Sequence, residues 1–468
     1  VQIAEVLDDV DVPRESGRHP LPDGVFVFSK KSALTKALNQ WLNALPSDEK
    51  KSLSDHVPNR HGREFSVDSE SEAKLVCAAL DKARNAANAS NHEWAAQNDV
   101  RTAMAFMQQV GTAEARDAFI QHGLPRLRSL IREAIAKPEE KDRYALFALK
   151  LLAMYRQPED VDLFAEAVRA PIEPDNYMWT PAFYAIDAEN PLTQQLIDRL
   201  RDPLPTQFAR VVFLDKCNAL AIEGHLSSHP FASVEGLAAL EQWLASTKQD
   251  EASYAVSACA ALPFVPSPDR ERLLEIAGRH PSIDVQMESA WAGAKMGVAS
   301  AADTLVAFAT DARYSSRAVA YLRELGLEQR VPPAVTEPDF VALAEMCQWL
   351  AHPNEMGCAP DEITLADSRE LYWPPTKDRR QLWVFRYRYN KTDGETDEGY
   401  GLVGSVTWAM FGSNTIHLSP EDVYGLHCAW ELIQCGDPTA PPESEVAAGR
   451  AILAKHNPGF GRPTLTIA

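Results

Sequence analysis

The 468-residue chain carries 45% hydrophobic and 24% charged residues, the proportions of an ordinary globular protein, and it is longer than the ~250–300 residues at which a single core stops growing. Its formal charge of −20 and pI near 5.1 repel phosphate backbones and anionic lipid, and no Lys/Arg block offsets them, so no nucleic-acid partner is expected. No apolar run approaches the ~20 residues needed to cross a bilayer, so no membrane span is expected either.

The cysteines (Cys77, Cys217, Cys259, Cys347, Cys358, Cys428 and Cys435) are odd in number and scattered. Most fall in apolar helical contexts, the pattern of reduced, buried thiols rather than of a disulfide framework. That usage predicts a cytoplasmic location. Residue 1 is Val rather than Met, which leaves a removed signal peptide as the alternative.

In chain order, residues 1–30 mix acids with Pro13, Pro20 and Pro22 and show no helical period, as expected of an extended or disordered arm. Residues 31–110 read as N-terminal helices, placed to cap the segment after them. Leu34, Leu38, Trp41, Leu42 and Leu45 fall at spacings of three and four along one stripe, and 70–109 is a long run of helix formers. Amphipathic segments come next at 126–136, 141–155, 159–169, 192–201 and 206–220, separated by turns such as Lys137-Pro138, Gln157-Pro158 and Asp202-Pro203.

A repeat becomes legible between Arg270 and Gly326. A helix, the turn His280-Pro-Ser-Ile-Asp-Val285, and a second helix ending Ala294-Lys-Met-Gly297 are followed by another pair ending Arg323-Glu-Leu-Gly326. Gly297 and Gly326 thus close equivalent helices one short repeat apart. An earlier unit, 237–244 with 251–262, has the same two-helix plan and ends in prolines 263, 266 and 268.

The proline turn before Asp-Val, the Ala-rich second helix and the closing glycine resemble the HEAT repeat family, in its short bilin-lyase-type form. The resemblance implies an α-solenoid of HEAT-like helix pairs over 111–334, and by itself it implies no activity. A short helix pair buries apolar residues on both flanks, so such units need neighbours and end caps.

Residues 335–468 change character. Gln381–Tyr389 alternates strictly, with Trp383, Phe385, Tyr387 and Tyr389 on one strand face. Asp393-Gly394 is the turn, and 400–411 returns as the second strand of a β-hairpin. Ser419-Pro-Glu-Asp422 starts a helix that Gly436 closes, and 443–455 is a final helix. The fold expected is mainly α, with a small α+β unit at the C-terminus.

Gly399-Tyr-Gly401-Leu-Val-Gly404 matches both the dinucleotide and the kinase glycine-loop patterns. The glycines lead into a strand rather than a helix, and the remaining kinase motifs are missing, so the expected role is relief of crowding in a twisted hairpin. Neither Cys347, His352 and Cys358 nor His417, His427, Cys428 and Cys435 has the paired short spacing of a zinc site. His92-Glu93 occurs once, without the later His-Glu pairs of helical-repeat di-iron enzymes. No metal and no cofactor are therefore expected.

Aromatics crowd the span 372–430. They read mainly as core, with Trp373-Pro374-Pro375 as the segment most exposed for binding. The leading reading is a non-catalytic scaffold that holds a protein partner on the concave face of the solenoid and on the C-terminal unit. The alternative is an enzyme or small-molecule module with its site at the junction, using Trp373, Pro374, Tyr400 and His427.

Overall fold

A computed structural model describes residues 30–44, 52–56, 66–89, 94–138, 144–173, 176–352, 354–390, 395–411, 416–433 and 442–461. The N-terminal arm, His92-Glu93, Asp393-Gly394, Cys435 and Gly436 lie outside these residues. The described chain is mainly helical, with a four-stranded antiparallel sheet near the C-terminus.

Its helices are α1 (Lys30–Asn43), α2 (Leu53–His56), α3 (Glu70–Ala89), α4 (Trp94–Phe106), α5 (Ala113–Ala118), α6 (Leu124–Ala136), α7 (Ala145–Tyr155), α8 (Val161–Arg169) and α9 (Trp179–Tyr184). They continue as α10 (Thr193–Leu200), α11 (Gln207–Ile222), α12 (Val234–Ala245), α13 (Ala252–Ala261), α14 (Arg270–Gly278), α15 (Ile283–Lys295), α16 (Ala299–Ala309), α17 (Ala312–Glu324) and α18 (Pro338–Leu350). After these come β1 (Glu362–Trp373), β2 (Asp378–Asn390), β3 (Thr396–Val403), β4 (Trp408–Phe411), α19 (Pro420–Ile433) and α20 (Pro442–His456). The chain divides into two compact units, and the division falls inside α15 between Val285 and Gln286.

From α6 to α14 the helices of the first unit form two rows. First helices pack on first helices, α6 on α8, α8 on α10 and α12 on α14, while second helices run α7, α9, α11, α13 in the same way. The stripe on α6 explains the packing: Leu124, Leu127, Leu130, Ile131 and Ala134 recur at helical spacing and all are buried.

Buried polar side chains tie each pair to the next. The Tyr155 hydroxyl donates to the Met107 carbonyl at 2.8 Å, and the Asn190 amide to the Ala153 carbonyl at 3.3 Å. The Asn218 amide donates to the Ser257 carbonyl at 2.8 Å, joining α11 to α13. Its Oδ1 lies 3.1 Å from His229 Nε2, and His229 Nδ1 accepts the Phe231 N–H, which fixes the neutral Nε2–H tautomer. Burial holds the His229 imidazole down near pKa 4, in keeping with that neutral form.

Ion pairs join neighbouring members of the first row. Arg128 meets Asp160 at 2.6 Å, Arg199 meets Asp162 at 3.0 Å and Arg272 meets Glu241 at 2.6 Å. The exposed pairs are screened by solvent, so they set register more than stability. Apolar burial supplies the main driving force.

In the second unit, Gly297 and Gly326 adopt φ of +86° and +68° and end α15 and α17. Val298 N–H bonds Gly293 O at 2.9 Å and Leu327 N–H bonds Leu322 O at 2.8 Å, the six-to-one closure of a Schellman turn. Helix α17 packs on α18, and α18 lies on the sheet.

The sheet order is β1-β2-β3-β4. The expected hairpin is thus half of a larger sheet, and 400–411 is not one strand: Gly404, at φ +107°, breaks it, and β4 turns back onto β3. Phe385, Tyr387 and Tyr389 face α18 in one core with Met346 and Leu350, with Trp383 packed beside them. Trp373, Val384, Tyr400 and Leu402 face α19 and α20 in the other. Ser419 and Asp422 cap α19 reciprocally, at 3.3 Å and 2.9 Å.

The glycines of β3 are spacers in this sandwich. A Cβ on Gly399 would overlap the Met410 carbonyl and the Tyr387 ring, and one on Gly401 would overlap Met346 Sδ. Gly399→Ala is expected to cost about 2 kcal/mol by overpacking. Gly297→Ala, which meets only open space but a left-handed φ, should cost about 1 kcal/mol. Denaturant unfolding of both variants checks the ranking.

Candidate functional site

Three of the four residues read from the sequence as a binding site are interior rather than surface. Trp373 ends β1 with its side chain fully buried, and its Nε1 donates to Glu431 Oε2 on α19 at 2.9 Å. Ser405 Oγ donates to the same oxygen at 2.9 Å. The exposure expected of Trp373 is thus corrected. The two prolines hold the β1–β2 turn, in which Thr376 and Lys377 bond back to the Trp373 carbonyl, and the indole faces the core. Pro374 is half-buried in that turn.

Tyr400 joins the same core as Trp373. His427 is fully buried on α19, in edge contact with Trp408 at 5.7 Å and near Trp430 at 6.0 Å. Neither of its ring nitrogens has a hydrogen-bond partner among the described residues. Trp373, Tyr400 and His427 are therefore interior groups of the second unit, and a ligand cannot reach them as placed.

Burial without a partner pushes the His427 imidazole down to about pKa 3, from an ordinary value near 6.5. The folded value lies below the unfolded one, so the unfolded chain binds the proton first. The stability this neutral ring contributes is complete above pH ~6.5 and is lost as pH falls toward ~3. His427→Leu should therefore lose about 3 kcal/mol less than the parent between pH 7 and pH 4 in denaturant titrations. Equal losses would contradict the assignment.

Open chemistry lies instead on the row of second helices in the first unit. Solvent-facing positions there are apolar or aromatic with isolated charges. Phe147 and Lys150 on α7 are half-buried, as are Phe208, Asp215 and Lys216 on α11. On α9, Tyr184 is 48% exposed. Lys150 donates to Gln108 at 3.2 Å and lies 5.8 Å from the Phe147 ring centre. Phe208 and Tyr254 of α13 approach at 6.2 Å.

The charges on this face are partly desolvated. Burial lifts the Asp215 carboxyl to about pKa 6, opposed by hydrogen bonding with Ser257. Burial, then the Asp215 charge, raises the Tyr184 phenol, and burial lowers the ammonium groups of Lys150 and Lys216. No sequence motif marks this face. Its only sequence signal is the presence of aromatic and charged side chains on the side of each second helix away from its buried stripe.

A partly open apolar pocket of about 30 Å³ is lined by Leu152, Phe164, Ile186 and Leu196, and an open polar cleft of about 490 Å³ lies between Asp162, Gln195, Asp198 and Arg199 on the first row. Among the described residues no group of three or more His, Cys, Asp or Glu is placed to hold a metal ion, and no helix is long and apolar enough to cross a membrane. Cys77, Cys217, Cys259, Cys347 and Cys428 are buried thiols, and Cys358 is exposed. No family model, curated protein or solved structure matches the chain.

Proposed function

We propose that this is a non-catalytic binding protein, in which the helix pairs of the first unit form a HEAT-like α-solenoid and their second helices hold a segment of another polypeptide. The observation that carries the reading is the α9–α11 part of that row. There an exposed tyrosine, Tyr184, stands beside a half-buried carboxylate, Asp215, which forms no salt bridge among the described residues.

Such a pairing suits a partner side chain that brings both apolar surface and positive charge. Aromatic rings supply large contact area at low entropic cost, and a cation docked against Asp215 would pair a carboxylate that forms no salt bridge among the described residues. The net charge of −20 favours a basic partner over an acidic one and speeds its encounter.

The test places a photo-crosslinking residue at Tyr184 of the full chain in its native cells, with Val234 on the first row as control because it is 88% exposed. The expected result is a discrete protein adduct from position 184, and a Tyr184→Asp variant whose affinity for that protein falls about ten-fold or more. Adducts from position 234 alone would contradict the reading.

A further inference from the structure

Strand β1 is the first strand of the sheet, and among the described residues no strand pairs with its far side. It is also long, spanning Glu362–Trp373, and its first half is largely open to solvent. At its inner end a side chain already imitates a neighbouring strand. Asn457 Oδ1 accepts the Tyr372 N–H at 2.7 Å, and Asn457 Nδ2 donates to the Tyr372 carbonyl at 3.0 Å.

Those two bonds fix the direction of the whole edge. In an antiparallel ladder the backbone groups of successive residues point alternately toward one neighbour and the other. Tyr372 points away from β2, so Glu370 and Ser368 do so as well. A bulge between Leu365 and Asp367 shifts the count, and on its far side Leu365 and Ile363 carry the outward groups. Unlike Tyr372, these four residues have no carboxamide docked on their outward groups among the described residues.

We infer that the β1 edge from Ile363 to Glu370 is a docking site for an extended peptide segment of a partner protein, which adds to the sheet as a further strand. Backbone hydrogen bonds supply the recognition, as the Asn457 carboxamide shows on a small scale. The exposed side chains state the rest of the preference. Leu365 is 42% exposed and offers apolar surface to a neighbouring side chain. Glu362 and Glu370 stay more than half exposed even while paired to Arg388 and Arg379, on opposite faces of the strand because of the bulge, and each favours a basic residue in the added segment.

A second copy of β1 fits poorly. One antiparallel register, with Ser368 opposite Glu370, sets Arg369 directly opposite its own copy, where like charges repel, and the register with Ser368 opposite itself runs into the bulge at Ala366. The bulge also prevents the two halves of the strand from sharing one symmetric register. This surface is separate from the second-helix face, so failure here leaves the reading of Tyr184 and Asp215 intact, and the reverse holds too.

The probe is a fluorescein-labelled peptide of alternating Lys and Val, with a Glu–Val peptide as control, followed by anisotropy on the full chain. Ser368→Pro removes an outward N–H and leaves the bonds to β2, a position where an edge strand tolerates proline. Leu365→Lys changes only an exposed side chain and repels the probe, so it serves if the proline variant does not fold. Saturable binding of the Lys–Val peptide, weakened about ten-fold by either variant and at least as weak for the Glu–Val peptide, is the expected result. Equal binding by parent and variants, no binding up to about 1 mM peptide, or concentration-dependent self-association that Ser368→Pro abolishes would each overturn the proposal.

Discussion

The carboxamide of Asn218 belongs to two helix pairs at once, and the first unit depends on contacts of that kind. A pair such as α12 and α13 is small, and α13 packs on α11 while α12 packs on α14, so the core is completed by neighbouring helices. The apolar surface is not selective about angle or register. Asn218, Asn190 and Tyr155 are selective, because each buries a polar group that only one backbone carbonyl of the neighbouring pair satisfies. Leaving such a group unpaired costs ~1–3 kcal/mol, enough to reject a slipped stack.

The second unit solves the same problem with a sheet. Aromatic side chains line one face of β2, and Leu382, Val384, Tyr400 and Leu402 line the other face of the sheet, so both faces are apolar and both need a cover. Helix α18 covers one face, and α19 with α20 covers the other. The Met410 backbone approaches closely enough that Gly399 is required in β3, Gly401 leaves room for the Met346 side chain, and Gly425 faces Gly449 where α19 crosses α20. The triple-glycine pattern that resembles a nucleotide loop is therefore a packing device. What such a sandwich leaves open is its edge, and β1 is the long one.

Much of the helical architecture is legible in the residues because its signals are local. Stripes at three and four, Gly297 and Gly326 at left-handed ends, and the Ser419–Asp422 cap each depend on a few neighbouring side chains. Strand β1 is hidden in the sequence because its bulge breaks the alternation between Leu365 and Asp367, and because an edge strand keeps polar residues on both faces. Helix α9 is hidden because it is short and contains Pro181. The candidate site is the least legible part. Trp373, Tyr400 and His427 have residue types that suit a binding surface, but whether an aromatic faces water or a helix depends on partners far along the chain, such as Glu431 for Trp373. Tyr184 and Asp215 come together only through the packing of α9 on α11.

The most direct test of this interdependence is native-state hydrogen exchange on Asn218→Ala. If the Asn218 carboxamide holds neighbouring pairs in register, the protection of α11 and of α13 should fall together, by about 2 kcal/mol, although the substitution lies in α11 alone. A loss confined to α11, with α13 unchanged, would contradict the claim that each helix pair is completed by its neighbour.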